Sequence, residues 1–305
     1  MQIGNSRSVR LNDIGQQLRA YRMESGLRAD EIAARLGVSR AALYRYEKGE
    51  VIKLDTVQRL AELLKISPLA LLGVGVEYYT RLTGYLERIR QIEESADQIL
   101  HLSGPFHYLM TSDNFDTIYA EALNELVAQA GDDRAALRAQ SDQVLNLMAE
   151  RRRSFQNRRP NIVAIIAAEA IDQYIRRPPS TRFTASPRLR RRMLDASVTE
   201  LMTIADLMEA EPIGFQFGLL TNEVPITNFT VLRSRERAQI AINPFRSDAH
   251  PTQVGCVMIT SAEEAIGAHQ RVAEVCWRDA LKGSAGAQKL RALVKVASDA
   301  ESAIA

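Results

Sequence analysis

Residues 27–50 read LRADEIAARLGVSRAALYRYEKGE, and this stretch decides how the N-terminal part of the chain folds. Its apolar residues recur at helical spacing on both sides of Gly37, which reads as two short helices joined by a tight turn. Ala33 is small enough to let those helices cross closely. Gly37 supplies the positive φ that such a turn demands, at no steric cost. Val38 and Leu43 are the apolar positions that pin the second helix on the first. Ser39 stands where an N-cap belongs, its hydroxyl able to accept from a free backbone N–H. A turn of this shape pushes its second helix outward, the geometry that enters a groove of duplex DNA.

Outward from that turn the same period continues. Leu11, Ile14, Leu18, Tyr21 and Met23 predict a first helix from Leu11 to Glu24, closed by Gly26. Arg28–Leu36 and Ser39–Lys48 are the second and third, the latter stopped by Gly49. Leu54, Val57, Leu60, Ala61 and Leu64 predict a fourth helix with all five facing inward. Ser67-Pro68 couples an N-cap to a proline at the first helical position and opens a fifth helix to Leu72. The first ten residues are polar and are expected to be loosely held.

Residues 11–72 thus resemble the DNA-binding domain of the Cro/repressor-type (XRE) regulators. The residues that carry the likeness are Ile14, Leu18, Arg19 and Arg22, Ile32-Ala33, Leu36-Gly37-Val38-Ser39, Leu43, Glu47, Gly49 and Leu60-Ala61. The resemblance implies an all-α, five-helix, sequence-specific DNA-binding domain over residues 1–72. One departure matters: that family usually has Ser or Thr and then Gln at the start of helix 2, where the Gln touches a phosphate. Arg28 and Ala29 stand there in this chain, so the contact is lost or passes to Arg28.

On the third helix Leu43 faces inward and Tyr46 is half-buried. Arg40, Ala41, Tyr44 and Arg45 are left on the outer face, near the end that reaches base edges, with Ser39 beside them. An Arg there can hold guanine O6 and N7 bidentately, Ala41 can meet a thymine methyl, and Tyr44 can meet a base or a phosphate. Arg22, Arg28, Lys48 and Lys53 are the candidate phosphate contacts, which position without specifying. The plainer alternative is a set of solvated charges on a helical module used for protein contacts.

The chain's 305 residues suit one small and one larger domain. An apolar share of 46% allows a substantial core. No apolar run is long enough for a membrane span and no charged-then-apolar leader opens the chain, which disfavours a membrane or secreted protein. Cys256 and Cys276 are the only cysteines, so a disulfide framework and a structural zinc site are disfavoured; the expectation is a reducing, cytoplasmic home with no cofactor and no metal. The net charge of +2 hides an asymmetry: residues 151–192 hold 12 Arg against Glu169 and Asp172.

Gly73-Val74-Gly75 reads as a hinge, and 73–100 as a linker with a helix from Val76 to Leu100. That helix either dimerises as a short coiled coil or packs on its own domain. Residues 101–305 alternate helices with strands and predict an α/β effector-sensing and oligomerisation domain. Its expected strands are Phe106–Thr111, the β-branched Asn161–Ala167, Gly214–Leu220, Asn228–Arg233, Arg237–Asn243 and Val254–Thr260. Between them run helices from Ser112 to Ala130, Asp132 to Asn157, Glu169 to Arg177 (broken by Pro178-Pro179) and Pro187 to Ala210. Ala262–Lys282 and Gly286–Ala300 close the chain.

The spacing of Pro105-Phe106, Phe229, Asn243-Pro244-Phe245 and Trp277-Arg278-Asp279-Ala280 is similar to that in the phospholipase-D-like effector domain of some sugar-responsive regulators. That likeness implies a phospholipase-D-like fold over roughly 100–283. The enzyme signature H-x-K-x4-D is absent, since no His precedes a Lys by two residues, and the four histidines sit in no known catalytic context. The expectation is therefore binding without catalysis.

Thr111, Ser112, Asp113 and Asn114, with Asn243 and Phe245, lie at strand ends, where α/β folds place ligand contacts. As capping and turn residues they have an equally good explanation. The Arg-rich band, including Arg158 and Arg159, admits an anionic effector such as a phosphorylated metabolite or carboxylate. It also admits pairing with acidic helices, nonspecific DNA contact, or simple solvation. The expected molecule is a homodimeric transcription regulator that binds a double-stranded DNA operator and senses a small molecule. The rivals are an enzyme fused to a DNA-binding domain, and a regulator whose C-terminal domain docks on a protein partner.

Overall fold

The computed structural model describes residues 11–102, 104–105, 107–176, 185–221, 228–246 and 249–302. The head holds α1 (Leu11–Ser25), α2 (Ala29–Leu36), α3 (Arg40–Glu47), α4 (Leu54–Leu64) and α5 (Pro68–Leu71). Gly37 has φ 71°, and the Val38 N–H donates to the Ala33 carbonyl at 3.0 Å, which closes α2. The Ser39 hydroxyl accepts from the Ala42 N–H at 3.1 Å, and Ser67 caps α5 ahead of Pro68. Leu18, Ile32, Leu43 and Leu60 are fully buried and fasten the helices together. Leu54, expected inward, is 75% exposed. It is the first residue of α4, and a helical side chain leans back toward the N-terminus, where no turn lies beneath it.

The stretch 73–100 is neither linker nor free dimerisation helix. It contains β1 (Val76–Arg81), α6 (Leu82–Glu93) and the start of β2 (Gln98–Leu102). Every residue of α6 except Arg90 is buried. The three- and four-residue spacing belongs to a helix buried all round, with α1 against one side and a helix of the sheet domain, α8 (Arg134–Arg158), against another.

The remaining elements are α7 (Asp113–Gln129), β3 (Asn161–Ala167), α9 (Ala168–Arg176), α10 (Pro187–Ala210), β4 (Phe215–Leu220), β5 (Phe229–Arg233), β6 (Ala238–Ile242), β7 (Val254–Thr260), α11 (Glu263–Asp279) and α12 (Gly283–Ser302). One seven-stranded sheet runs in the order β1-β7-β6-β5-β2-β3-β4. β2, β3 and β4 are parallel, and the other neighbours are antiparallel. The expected strand at Phe106–Thr111 is instead a 3-10 turn at Tyr108–Met110, where the Leu109 N–H donates to His107 Nδ1. Phe106, residues 1–10 and the break at Arg177-Pro178-Pro179 lie outside the described residues. α6, α7, α8, α9, α10 and α12 share the large core on one face of the sheet, and α11 covers part of the other. Among the described residues no helix is long and apolar enough to cross a membrane, and no His, Cys, Asp and Glu group could hold a metal.

At the C-terminal end of β2 the rings of His101 and His107 meet edge to face at 5.2 Å. Burial pushes both imidazoles down to about 3, helped by His107 in the first case and by Arg151 in the second. Both rings are therefore neutral in the folded chain at pH 7. Between the unfolded value, about 6.5, and the folded one the unfolded state binds more protons, so stability falls as pH drops through that window. Urea unfolding between pH 7 and pH 4 is expected to show this loss, and His101→Gln with His107→Gln to flatten it.

Candidate nucleic-acid interface

α3 points one face outward. Ser39, Arg40, Ala41 and Arg45 are exposed and Tyr44 is half-buried, while Leu43 fills the core beneath. The helix brings Arg40 and Tyr44, one turn apart, into contact. Arg40 Nη2 donates to the Tyr44 hydroxyl at 3.0 Å, and its guanidinium lies 5.3 Å from the ring centre. The arginine fork is thus partly pre-oriented on the helix surface. Arg45 pairs with Glu50 at 3.1 Å, both side chains more than half exposed, so a base or phosphate competes only with a weak surface pair. Arg28, Lys48 and Lys53 are exposed around the same helix. Arg28 holds Asp30 and Glu31 at surface distances, and its backbone N–H donates to Glu31 Oε2 at 2.9 Å.

Arg22 lies behind this surface, its guanidinium 5.9 Å from the centre of the Tyr44 ring. Its Nε and Nη2 bind the two oxygens of Glu47 at 2.5 and 3.0 Å, tying α1 to the end of α3. Burial works against the Arg22 charge, and Glu47 outweighs it, so its pKa ends above the ordinary value. In this pairing it is a strut for α3. Gly15 completes the joint: a Cβ there would stand 2.6 Å from the Tyr46 carbonyl and 2.7 Å from that of Glu47. Gly15→Ala must displace α3 from α1 and is expected to cost about 1–3 kcal/mol, read as a lowered thermal midpoint.

Sequence reasoning missed how the head is attached. α1 is held on its other side by β1 and α6. Glu77 Oε1 accepts from Gln17 Nε2 at 2.6 Å and from Arg88 Nη2 at 2.8 Å; Glu77 Oε2 accepts from Arg88 Nε at 2.7 Å and from the Tyr79 hydroxyl at 3.0 Å. Burial opposes the Arg88 charge and Glu77 more than restores it, which raises the guanidinium's pKa. Tyr21 stacks on Tyr79 at 5.1 Å. Glu24 accepts from the N–H groups of Thr80 and Arg81, and Gln91 donates to the Gln16 carbonyl. The one available signal was Glu77, Glu87 and Arg88 falling among apolar residues, which a solvent-facing linker does not require.

The expected ligand shell does not assemble as one. Thr111 is buried, and its carbonyl and hydroxyl accept from Arg152. Ser112 caps α7, and its N–H and hydroxyl donate to Glu200. Asp113 and Asn114 are exposed in the first turn of α7. Asn243 bonds the backbone of Phe245, whose ring is buried against Tyr85. Part of the Arg-rich band is spent on internal pairs: Arg151 with Glu93, Arg152 with Asp116, Arg192 with Glu121, and Arg158 with Asp97 and the Ala96 carbonyl. Arg159 sits at φ 49° as the C-cap of α8. A groove of about 580 Å³ beside Arg158 carries both signs of charge, with Arg90 and Arg153 facing Glu94 and Glu150. Arg158 is therefore a buttress for the turn before β2.

No curated protein matches the chain. Residues 13–72, which span α1 to α5, match the family of helix-turn-helix domains.

Proposed function

We propose that the chain is a sequence-specific, DNA-binding transcription regulator of the Cro/repressor type. The observation that carries this reading is α3 itself. It is capped by Ser39, anchored by Leu43, braced from behind by Gly15 and Arg22, and presents Arg40, Ala41, Tyr44 and Arg45 on its free face. Those residue types suit guanine edges, thymine methyls and phosphates. The test is selection of duplexes by the full chain, followed by competition with random duplex at several salt concentrations. Recovery of no preferred sequence would overturn the reading.

The larger domain is proposed to bind a small molecule rather than to catalyse, in keeping with the missing H-x-K-x4-D signature and the likeness to phospholipase-D-like effector domains. His101 supports this: it lies one residue before the end of β2, the strand where the parallel part of the sheet begins, and its Nε2 is buried without a hydrogen-bond partner among the described residues. The sensing residues are then sought at that strand end. A signal there has a rigid route to the DNA-binding head, because Arg151 joins α8 to α6 through Glu93, and α6 holds α1. A thermal-shift screen of metabolites, repeated on His101→Ala, tests the assignment. A ligand whose shift survives the substitution unchanged would place the site elsewhere.

A further inference from the structure

The end of β1 carries a cation onto the edge of the DNA-binding head. Side chains alternate across a strand, so Arg81, two residues beyond Tyr79, leaves the sheet on the face that Tyr79 presents to Tyr21 of α1. Its guanidinium lies on Gly26: a Cβ at that glycine would overlap Nη1 and stand 2.9 Å from Cζ. Glu24 fixes the approach. One of its oxygens accepts from the Thr80 N–H at 2.7 Å and from the Thr80 hydroxyl at 2.6 Å, and the other accepts from the Arg81 N–H at 3.0 Å. The backbone of Arg81 is thus tied to α1, while its side chain is exposed and forms no ion pair among the described residues. Arg88 and Arg151, by contrast, each hold a buried carboxylate. An arginine fixed in place and left without a counter-ion is suited to an external anion. Its position says which one. Arg28 follows Gly26 by two residues, a span of at most about 7 Å, and is exposed among the cations around α3. Arg81 extends that basic edge from the side of the sheet domain.

We propose that Arg81, which belongs to the sheet domain, binds a backbone phosphate of the duplex beside the start of α2, so that both domains hold the DNA. The contact rests on the DNA-binding reading and carries its interface past the five-helix head. A phosphate contact positions without specifying, so Arg81 adds affinity for every duplex alike. It also gives the sheet domain a hold on affinity that bypasses the base-reading residues. A shift of β1 against α1 withdraws this cation and leaves the free face of α3 intact.

Anisotropy titrations of the full chain on selected and random duplexes, across a salt series, test it. Arg81→Gln is expected to weaken both duplexes by the same factor, to lower the slope of log affinity against log salt by about 1, and to keep the thermal midpoint. Arg81→Lys keeps the charge and is expected to keep the slope. Arg190→Gln removes the same charge from an exposed position on α10, which packs at the β4 edge of the sheet, opposite β1, and is expected to leave the slope unchanged. An Arg81→Gln chain with the wild-type slope would overturn the proposal. So would a loss in Arg81→Lys as large as in Arg81→Gln, which would trace the effect to packing on Gly26, or an equal loss in Arg190→Gln, which would trace it to total charge. The two readings fail differently. A wild type that binds no duplex removes the regulator reading together with this contact, whereas a wild type that binds a selected duplex, with Arg81→Gln unaltered, removes this contact alone.

Discussion

Arg88→Ala is expected to destabilise the chain by about 3–5 kcal/mol, because it leaves Glu77 charged, buried and without its cation. Arg88 supplies two of the four hydrogen bonds that Glu77 accepts, and both side chains are almost wholly shielded from solvent. Gln17 and Tyr79 cannot replace a charge, although they keep their bonds. The loss is expected to be local as well as global. Glu77 is where β1, α6 and α1 meet, so hydrogen exchange in α1 is expected to accelerate more than exchange in β3. Glu77→Leu combined with Arg88→Met is expected to recover most of the stability, since a buried pair replaced by apolar groups of similar volume is often neutral. Denaturant unfolding of the three variants checks this, and a single Arg88→Ala within experimental error of the wild type would contradict it.

Arg40→Ala is expected to weaken binding to a selected duplex by about 1–3 kcal/mol, roughly 5- to 150-fold, and to relax the preference at one base position. Nothing in the fold depends on Arg40, whose contacts are to the exposed hydroxyl and ring of Tyr44, so the effect belongs to DNA and not to stability. Glu50→Gln is expected to act in the opposite direction, because it frees Arg45 from its surface pair. Lys53→Ala serves as the contrast: a phosphate contact is expected to weaken all duplexes alike and to lower the salt slope by about 1. Fluorescence anisotropy on selected and random duplexes at three salt concentrations separates these outcomes.

The head was legible because its information is local. Gly37, Ser39 and Ser67-Pro68 each act on backbone groups within a few residues, and the apolar period recurs within each helix from Ile14 to Leu64. Strands such as β3 and β7 were legible from β-branched composition. What escaped was distant pairing. β1 pairs with β7, about 180 residues later, and its local signal, Val76, Tyr78, Tyr79 and Thr80 after Gly75, is masked by the helical spacing that runs on into α6. The partners of the Arg-rich band escaped for the same reason. Arg151 and Arg192 are neutralised by Glu93 and Glu121, which are 58 and 71 residues away. The pairing of Arg22 with Glu47, 25 residues away across the helix crossing, escaped in the same way. The outward residues of α3 were readable because an outward face is defined by the inward Leu43 of the same helix.

The central claim is that α3 reads base sequence. Its most direct measurement is the affinity of the full chain for its best selected duplex, compared with a chain carrying Arg40→Ala, Tyr44→Ala and Arg45→Ala together. The account predicts tight binding to the selected duplex by the wild type. It predicts that the triple variant falls to the affinity of random duplex while keeping its thermal midpoint. A triple variant that still discriminates between the two duplexes as the wild type does would contradict it.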